Sequence, residues 1–159
     1  FKQSLHILKI PKFKIMIQEY FQQNIKKKSF SSIVVYPADI LDQRTQEEML
    51  RSEKYNSSFI YAEVDFNLLD QHILHESDQD LFITILLQVL QSDTRITDII
   101  GLLPDNQGFV VLMPEAKEKA WFRIKRSFAE KLADRPDLSK IFKEHVHPIV
   151  YPICLKKEV

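Results

Sequence analysis

The chain has 159 residues, 22 of them Lys or Arg and 22 Asp or Glu, so its formal charge is zero. That length suits one domain with a core of its own, and a neutral chain presents no broad field to nucleic acid or anionic lipid. One cysteine, Cys154, permits no internal disulfide, and two glycines, Gly101 and Gly108, are too few for a P-loop, a dinucleotide fingerprint or a nucleophile elbow. No apolar run approaches a membrane span and no signal peptide is visible. The start at Phe1 rather than Met points to a piece of a longer protein, expected in the cytoplasm or as the cytoplasmic part of a membrane-anchored one.

In chain order, residues 1–10 read equally as a strand or the tail of a linker. Pro11 opens a helical pattern over 12–28, with Phe13, Ile17, Tyr20, Phe21 and Ile25 at three- and four-residue spacing and a basic last turn. A strand over 30–36 stops at Pro37, and a loosely amphipathic helix follows over 41–54, anchored by Leu41, Met49 and Leu50. The clearest strand is 57–66. Ile60, Ala62, Val64 and Phe66 alternate onto one face, and Phe59, Tyr61, Glu63 and Asp65 onto the other. Glu63 and Asp65 thus share a face at a strand's end, where such a pair suits a magnesium ion or simply runs out to solvent.

Residues 78–93 predict a helix that is apolar nearly all round, with one polar stripe of Thr84, Gln88 and Gln91 leading to Arg95. Two short apolar runs, 98–103 and 109–113, flank Pro104-Asp105-Asn106-Gln107-Gly108 and predict a β-hairpin. An amphipathic helix follows over 115–133, with Trp121, Ile124, Phe128 and Leu132 inward and Arg123 and Arg126 on a neighbouring face. A break at Asp134-Arg135-Pro136, a short helix to Lys143 and an edge strand over 146–155 complete the chain. The order implies an α/β sandwich, helices around one central mixed sheet with a β-hairpin. Ile60, Val64, Leu81, Ile85, Leu86, Val110, Leu112, Trp121, Ile124 and Phe128 are expected to be buried together between sheet and helices.

From Ser57 to Leu132 these pieces resemble a GGDEF domain, the diguanylate cyclase fold. Glu63-Val64-Asp65-Phe66 stands where that family has a strand ending D-x-D, and Asp80 at the helix start. Arg95-Ile96-Thr97-Asp98 stands as its R-x-x-D, and Phe109-Val110-Val111-Leu112-Met113-Pro114 as its outgoing strand. The order is the family's, with one extra residue before the hairpin tip. Residues 1–56 match it poorly, so 1–56 are read as a helix, strand and helix leading into a GGDEF-like part at 57–159, within one globular unit.

The departures from the family suggest a lapsed active site. Where the resemblance implies a glycine pair and an acid that binds metal, the chain has Asp105, Asn106 and Gln107. Gln71 replaces the asparagine that reads guanine, and Leu68 the phosphate-facing lysine, while Glu63 and Asp80 keep their carboxylates. Glu63, Asp65, Asp80 and Gln107 are therefore degenerate active-site positions, with no resident metal or cofactor expected. The R-x-x-D pair survives and resembles the family's inhibitory site for cyclic di-GMP. A guanidinium suits guanine O6 and N7, and a carboxylate suits N1–H and N2–H. Arg95 and Asp98 are the expected contacts, with Arg123 or Arg126 for the second guanine. An Arg–Asp pair at a helix end is also often a plain surface ion pair.

His72, His75, His145 and His147 show no convergence and read as surface histidines; Cys154 reads as apolar filler. Three functions follow: a catalytically inactive receptor for cyclic di-GMP, an interaction or dimerisation module that binds no nucleotide, and a weak nucleotide-binding enzyme using Glu63, Asp65 and Asp80. A homodimer or other domains of a longer parent chain are the expected protein partners; nucleic acid and membrane insertion are not.

Overall fold

A computed structural model describes residues 34–152. The expected helix over 12–28, the first residues of the strand over 30–36 and Cys154 lie outside the described residues. Five strands form one mixed sheet: β1 (Val34–Tyr36), β2 (Phe59–Asp65), β3 (Ile99–Leu102), β4 (Gly108–Met113) and β5 (Pro148–Tyr151). The helices are α1 (Ala38–Tyr55), α2 (Phe66–His72), α3 (Glu76–Asp93), α4 (Glu118–Lys131) and α5 (Pro136–His145). Strand order is β1-β3-β4-β2-β5, with β1 parallel to β3 and every other pair antiparallel. The α/β fold with a central mixed sheet, flanking helices and a hairpin is thus as the sequence predicts. None of the described helices is long and apolar enough to cross a membrane.

Alternation along β2 sets the two faces of the sheet. Ile60, Ala62 and Val64 join Phe109, Val111 and Met113 of β4 in the main core, where α3 contributes Phe82, Ile83 and Leu86. Trp121, Ile124 and Phe128 of α4 and Leu138 and Phe142 of α5 close it. The opposite face holds a smaller cluster of Phe59, Ile99 and Leu112, flanked by Tyr36, Tyr61 and Tyr151. Leu112, expected in the main core, therefore lies on the other side. Val110 shares its side, because both alternate with Val111, and Gly101, the register partner of Val110, faces α1. Both are buried. Leu81 and Ile85 are only partly buried at the main core's margin.

Gly101 brings α1 down onto this second face. A Cβ at that position would stand 2.3–2.5 Å from three side-chain atoms of Leu41, closer than carbon atoms pack. The helix buries Leu41, Glu48 and Ser52. The expected anchors Met49 and Leu50 turn outward instead, Leu50 to 68% exposure. The stripe 41-45-48-52 faces inward because Gly101 admits Leu41, and its polar members find contacts there. Thr45 Oγ1 donates to the Leu41 carbonyl, Ser52 Oγ to the Ser57 carbonyl, and Glu48 pairs with Arg51 at 3.2 Å.

Phe66, assigned by alternation to the strand, instead opens α2, a helix that the hydrophobic pattern does not announce. Asp65 caps it, its Oδ1 accepting from the Asn67 and Leu68 backbone N–H groups at 2.9 and 3.3 Å. Phe66, Leu69 and Ile73 then fall on one buried face. At the other edge, β5 pairs with β2 alone among the described residues, in keeping with Pro148 in the strand.

Candidate functional site

The hairpin tip lies beside the end of β2. Asp65 is the register partner of Gly108, and the Phe66 N–H donates to the Gln107 carbonyl at 2.9 Å. A Cβ on Gly108 would meet the Val64 carbonyl oxygen at 2.1 Å, so only glycine permits this approach. A 3₁₀ turn, Pro104–Asn106, carries the chain over the tip, with Asp105 in the left-handed region at φ 57°. Asp65 and Gln107, grouped by sequence, are thus neighbours in space.

The chemistry of this corner is sparse. Asp65 is engaged as a helix cap, and Gln107 is an exposed side chain with no charge to offer. Glu63 is exposed on the α1 side of β2. It helps hold the Tyr61 phenol above its ordinary pKa, after burial and together with Asp42. Asp80 is half-buried in the second turn of α3. Leu68 is half-buried and Gln71 exposed on α2. Asp70 accepts from Gln79 Nε2 at 3.0 Å, which also donates to the Ile73 carbonyl, so a buried amide ties α2 to α3. Among the described residues no three of His, Cys, Asp or Glu converge on a point where a metal could sit.

Arg95 and Asp98 meet across a tight turn between α3 and β3. The Asp98 N–H donates to the Arg95 carbonyl at 3.0 Å. Asp98 Oδ2 accepts from the Arg95 N–H at 2.7 Å, and Oδ1 from Arg95 Nη2 at 2.9 Å. The same Nη2 donates to the Pro114 carbonyl, which follows β4. The pair is therefore a clasp joining the end of α3 to the end of β4. The Arg95 side chain is 46% exposed, while the Asp98 side chain has no exposure at all.

Arg123 and Arg126 lie elsewhere. They line a cavity of about 610 Å³ on the outer side of α4, with Lys119, Phe122, Lys125, Ala129 and Lys143, and neither Arg95 nor Asp98 is in its wall. Lys125 Nζ sits 5.2 Å from the centre of the Phe122 ring.

Two further constellations escape sequence reasoning because they join distant elements. Arg135, which reads as part of a helix break, bonds Asp78 Oδ1 at 2.9 Å and Asp137 at 3.0 and 3.2 Å. Those hydrogen bonds hold both carboxyls below the usual carboxylate range and push the guanidinium higher still. His72 and His145 stack with ring centres 3.9 Å apart, at the last residues of α2 and α5. No local signal announces either contact; only the packing of α5 against α2 and α3 creates them.

No protein-family model matches the chain, and no curated protein does. Among solved structures, it is similar to the GGDEF domain of TpbB (YfiN) from Pseudomonas aeruginosa, with a TM-score of 0.47 and 12% identity over 74% of this chain and 72% of that one. It is similar also to the diguanylate cyclase SiaD of Pseudomonas aeruginosa, solved in complex with its activator SiaC. There the TM-score is 0.42 and the identity 20%, over 79% of this chain and 52% of that one.

Proposed function

We propose that this chain is a catalytically silent GGDEF-like signalling domain, acting by interaction rather than by turnover. The observation that carries this reading is the hairpin corner. Gln107 stands where the resemblance implies a metal-binding acid, and the neighbouring Asp65 turns its oxygen into the backbone of α2. Two-metal phosphoryl transfer depends on several carboxylates held toward the ions and cations held toward the phosphates. Glu63 alone at this strand end, with Leu68 and Gln71 on the adjoining helix, does not supply that charge. Residues 57–159 would be the GGDEF-like part and 1–56 its lead-in, in the cytoplasm, alone or within a membrane-anchored parent.

For the interaction itself, the geometry favours a protein partner, such as a second copy or another domain of the parent chain, over nucleotide read-out. Both oxygens of Asp98 already accept from Arg95. Each of a guanidinium's two parallel donor forks includes Nη2, and both Nη2 hydrogens are engaged, on Asp98 and Pro114. A guanine edge would therefore have to displace the clasp. The second reading, a cyclic di-GMP receptor using Arg95, Asp98 and Arg123 or Arg126, is favoured by one observation. The Arg95 side chain is nearly half exposed, and its Nε and Nη1 bond nothing among the described residues.

Two measurements separate these readings. Incubation with labelled GTP and magnesium or manganese is expected to yield no cyclic di-GMP; product formation abolished by Glu63→Ala would restore the enzyme reading. Calorimetric titration with cyclic di-GMP and with GTP is expected to give no heat of binding. Saturable binding lost in Arg95→Ala would instead establish the receptor.

A further inference from the structure

We infer that the outer groove of α4 is a docking site for a short acidic segment of a partner protein, seated on Phe122. The inference rests on the interaction reading and supplies the surface and partner chemistry that it lacks. In a chain with 22 positive and 22 negative side chains, this wall holds Lys119, Arg123, Lys125, Arg126 and Lys143 and no carboxylate. The pairing of arginines sharpens the point. Among the described residues, Arg44, Arg51, Arg95 and Arg135 are each in an ion pair with an aspartate or glutamate. Arg123 and Arg126, both exposed, are in none, and they are the two that face the groove. Unpaired cations concentrated on a concave wall raise the local potential that an anionic ligand meets.

The groove also has an apolar seat. Phe122 is 56% exposed although the opposite face of α4 buries Trp121, Ile124 and Phe128. An aromatic ring in a wall of cations, with Lys125 over its face, fits a ligand that alternates acidic and apolar side chains. The lining runs from Lys119 to Ala129 on one helix, a span of about 15 Å at the α-helical rise. Along the chain, Glu118 precedes the first lining residue and Glu130 follows the last one on α4, both exposed. A lining of that length suits a short acidic segment, whereas a nucleic-acid duplex or a lipid surface would extend well past it. The wall offers no carboxylate or amide to read a guanine edge, so a cyclic dinucleotide would meet only cations and one ring.

The test uses the whole chain and a dye-labelled synthetic amphipathic helix with glutamates on one face and leucines on the other, followed by fluorescence anisotropy. The parent is expected to bind it saturably, more weakly as salt rises. Charge reversal in Arg123→Glu/Arg126→Glu is expected to weaken binding at least about tenfold, the order found when close interfacial charge pairs are lost. Phe122→Ala should weaken it several-fold, and the same helix with glutamines for glutamates should not bind. All three residues are exposed, so thermal unfolding of each variant should match the parent; Lys119→Glu provides an independent reversal. Equal binding by the charge-reversed chain or by the glutamine helix would overturn the inference. So would displacement of the peptide by cyclic di-GMP, or tighter binding to phosphatidylglycerol vesicles than to the peptide. Failure of the titrations with GTP and cyclic di-GMP to give the outcome expected above would overturn the interaction reading without touching this result.

Discussion

Asp98 is a buried carboxylate whose two oxygens are both satisfied by the arginine three residues before it. Read along the chain, Arg95 is a surface cation that could be removed at little cost in stability. The clasp reverses that expectation. Arg95→Ala leaves one oxygen of a fully buried carboxylate without its donor and frees the Pro114 carbonyl, and such an unmet acceptor costs about 1–3 kcal/mol. Urea denaturation of the variant is expected to show a loss in that range. A change within about 0.5 kcal/mol, ordinary for a surface substitution, would mean that the clasp is not structural. Gly101 carries a prediction of the same kind. Its Gly101→Ala variant places a Cβ against Leu41 near its backbone end, where side-chain rotation gives little relief. Overpacking of this sort costs about 1–3 kcal/mol, readable in the same denaturation series.

Between elements, the joint that matters most is polar. Arg135 holds the first turn of α3, through Asp78, to the first turn of α5, through Asp137. Both acids also sit where helix dipoles favour negative charge. Their folded-state pKa values are lowered, first by the hydrogen bonds from Arg135. A lowered folded pKa adds stability above the unfolded pKa of about 3.9. That contribution is lost as pH falls through the folded value. Arg135→Leu is therefore expected to be less stable than the parent at neutral pH, with the difference closing below about pH 4. Chemical denaturation at several pH values checks this; a difference that persists undiminished in acid would assign the loss to packing instead. The stacked His72–His145 pair adds a second joint, between the ends of α2 and α5.

Across the whole molecule, the sheet separates two unequal cores, and stability concentrates on the side of α3, α4 and α5. Leu86 lies at its centre with no exposed surface. Leu86→Ala is expected to cost about 2–5 kcal/mol by equilibrium unfolding, as truncation in a packed core does; a loss below about 1 kcal/mol would mean that the neighbouring helices collapse to fill the space. The surface is organised differently. Gln107 brings no charge to the hairpin tip, the clasp is closed on itself, and two arginines in no ion pair among the described residues stand together on α4. That distribution sets the cationic groove apart from both the clasp and the hairpin tip.

Elements whose signal is local could be read from the chain alone. Alternation over 59–65, the apolar run of α3, the turn residues between β3 and β4 and the stripe of Trp121, Ile124, Phe128 and Leu132 each report a period that the backbone imposes within one segment. The proximity of Asp65 and Gln107 was legible because strand and hairpin pieces came in a recognisable order. Tertiary structure decided what depends on two segments meeting. Period alone cannot say that Val110 and Leu112 face α1 rather than α3, because both sides of a central strand are buried and no polar residue marks one of them. It cannot say that Leu50 turns outward, since Gly101 selects the stripe through Leu41. Nor can it distinguish an arginine that closes on its own carboxylate, at Arg95, from two that pair with no carboxylate among the described residues, at Arg123 and Arg126. The residue types are the same, and burial of one partner makes the difference.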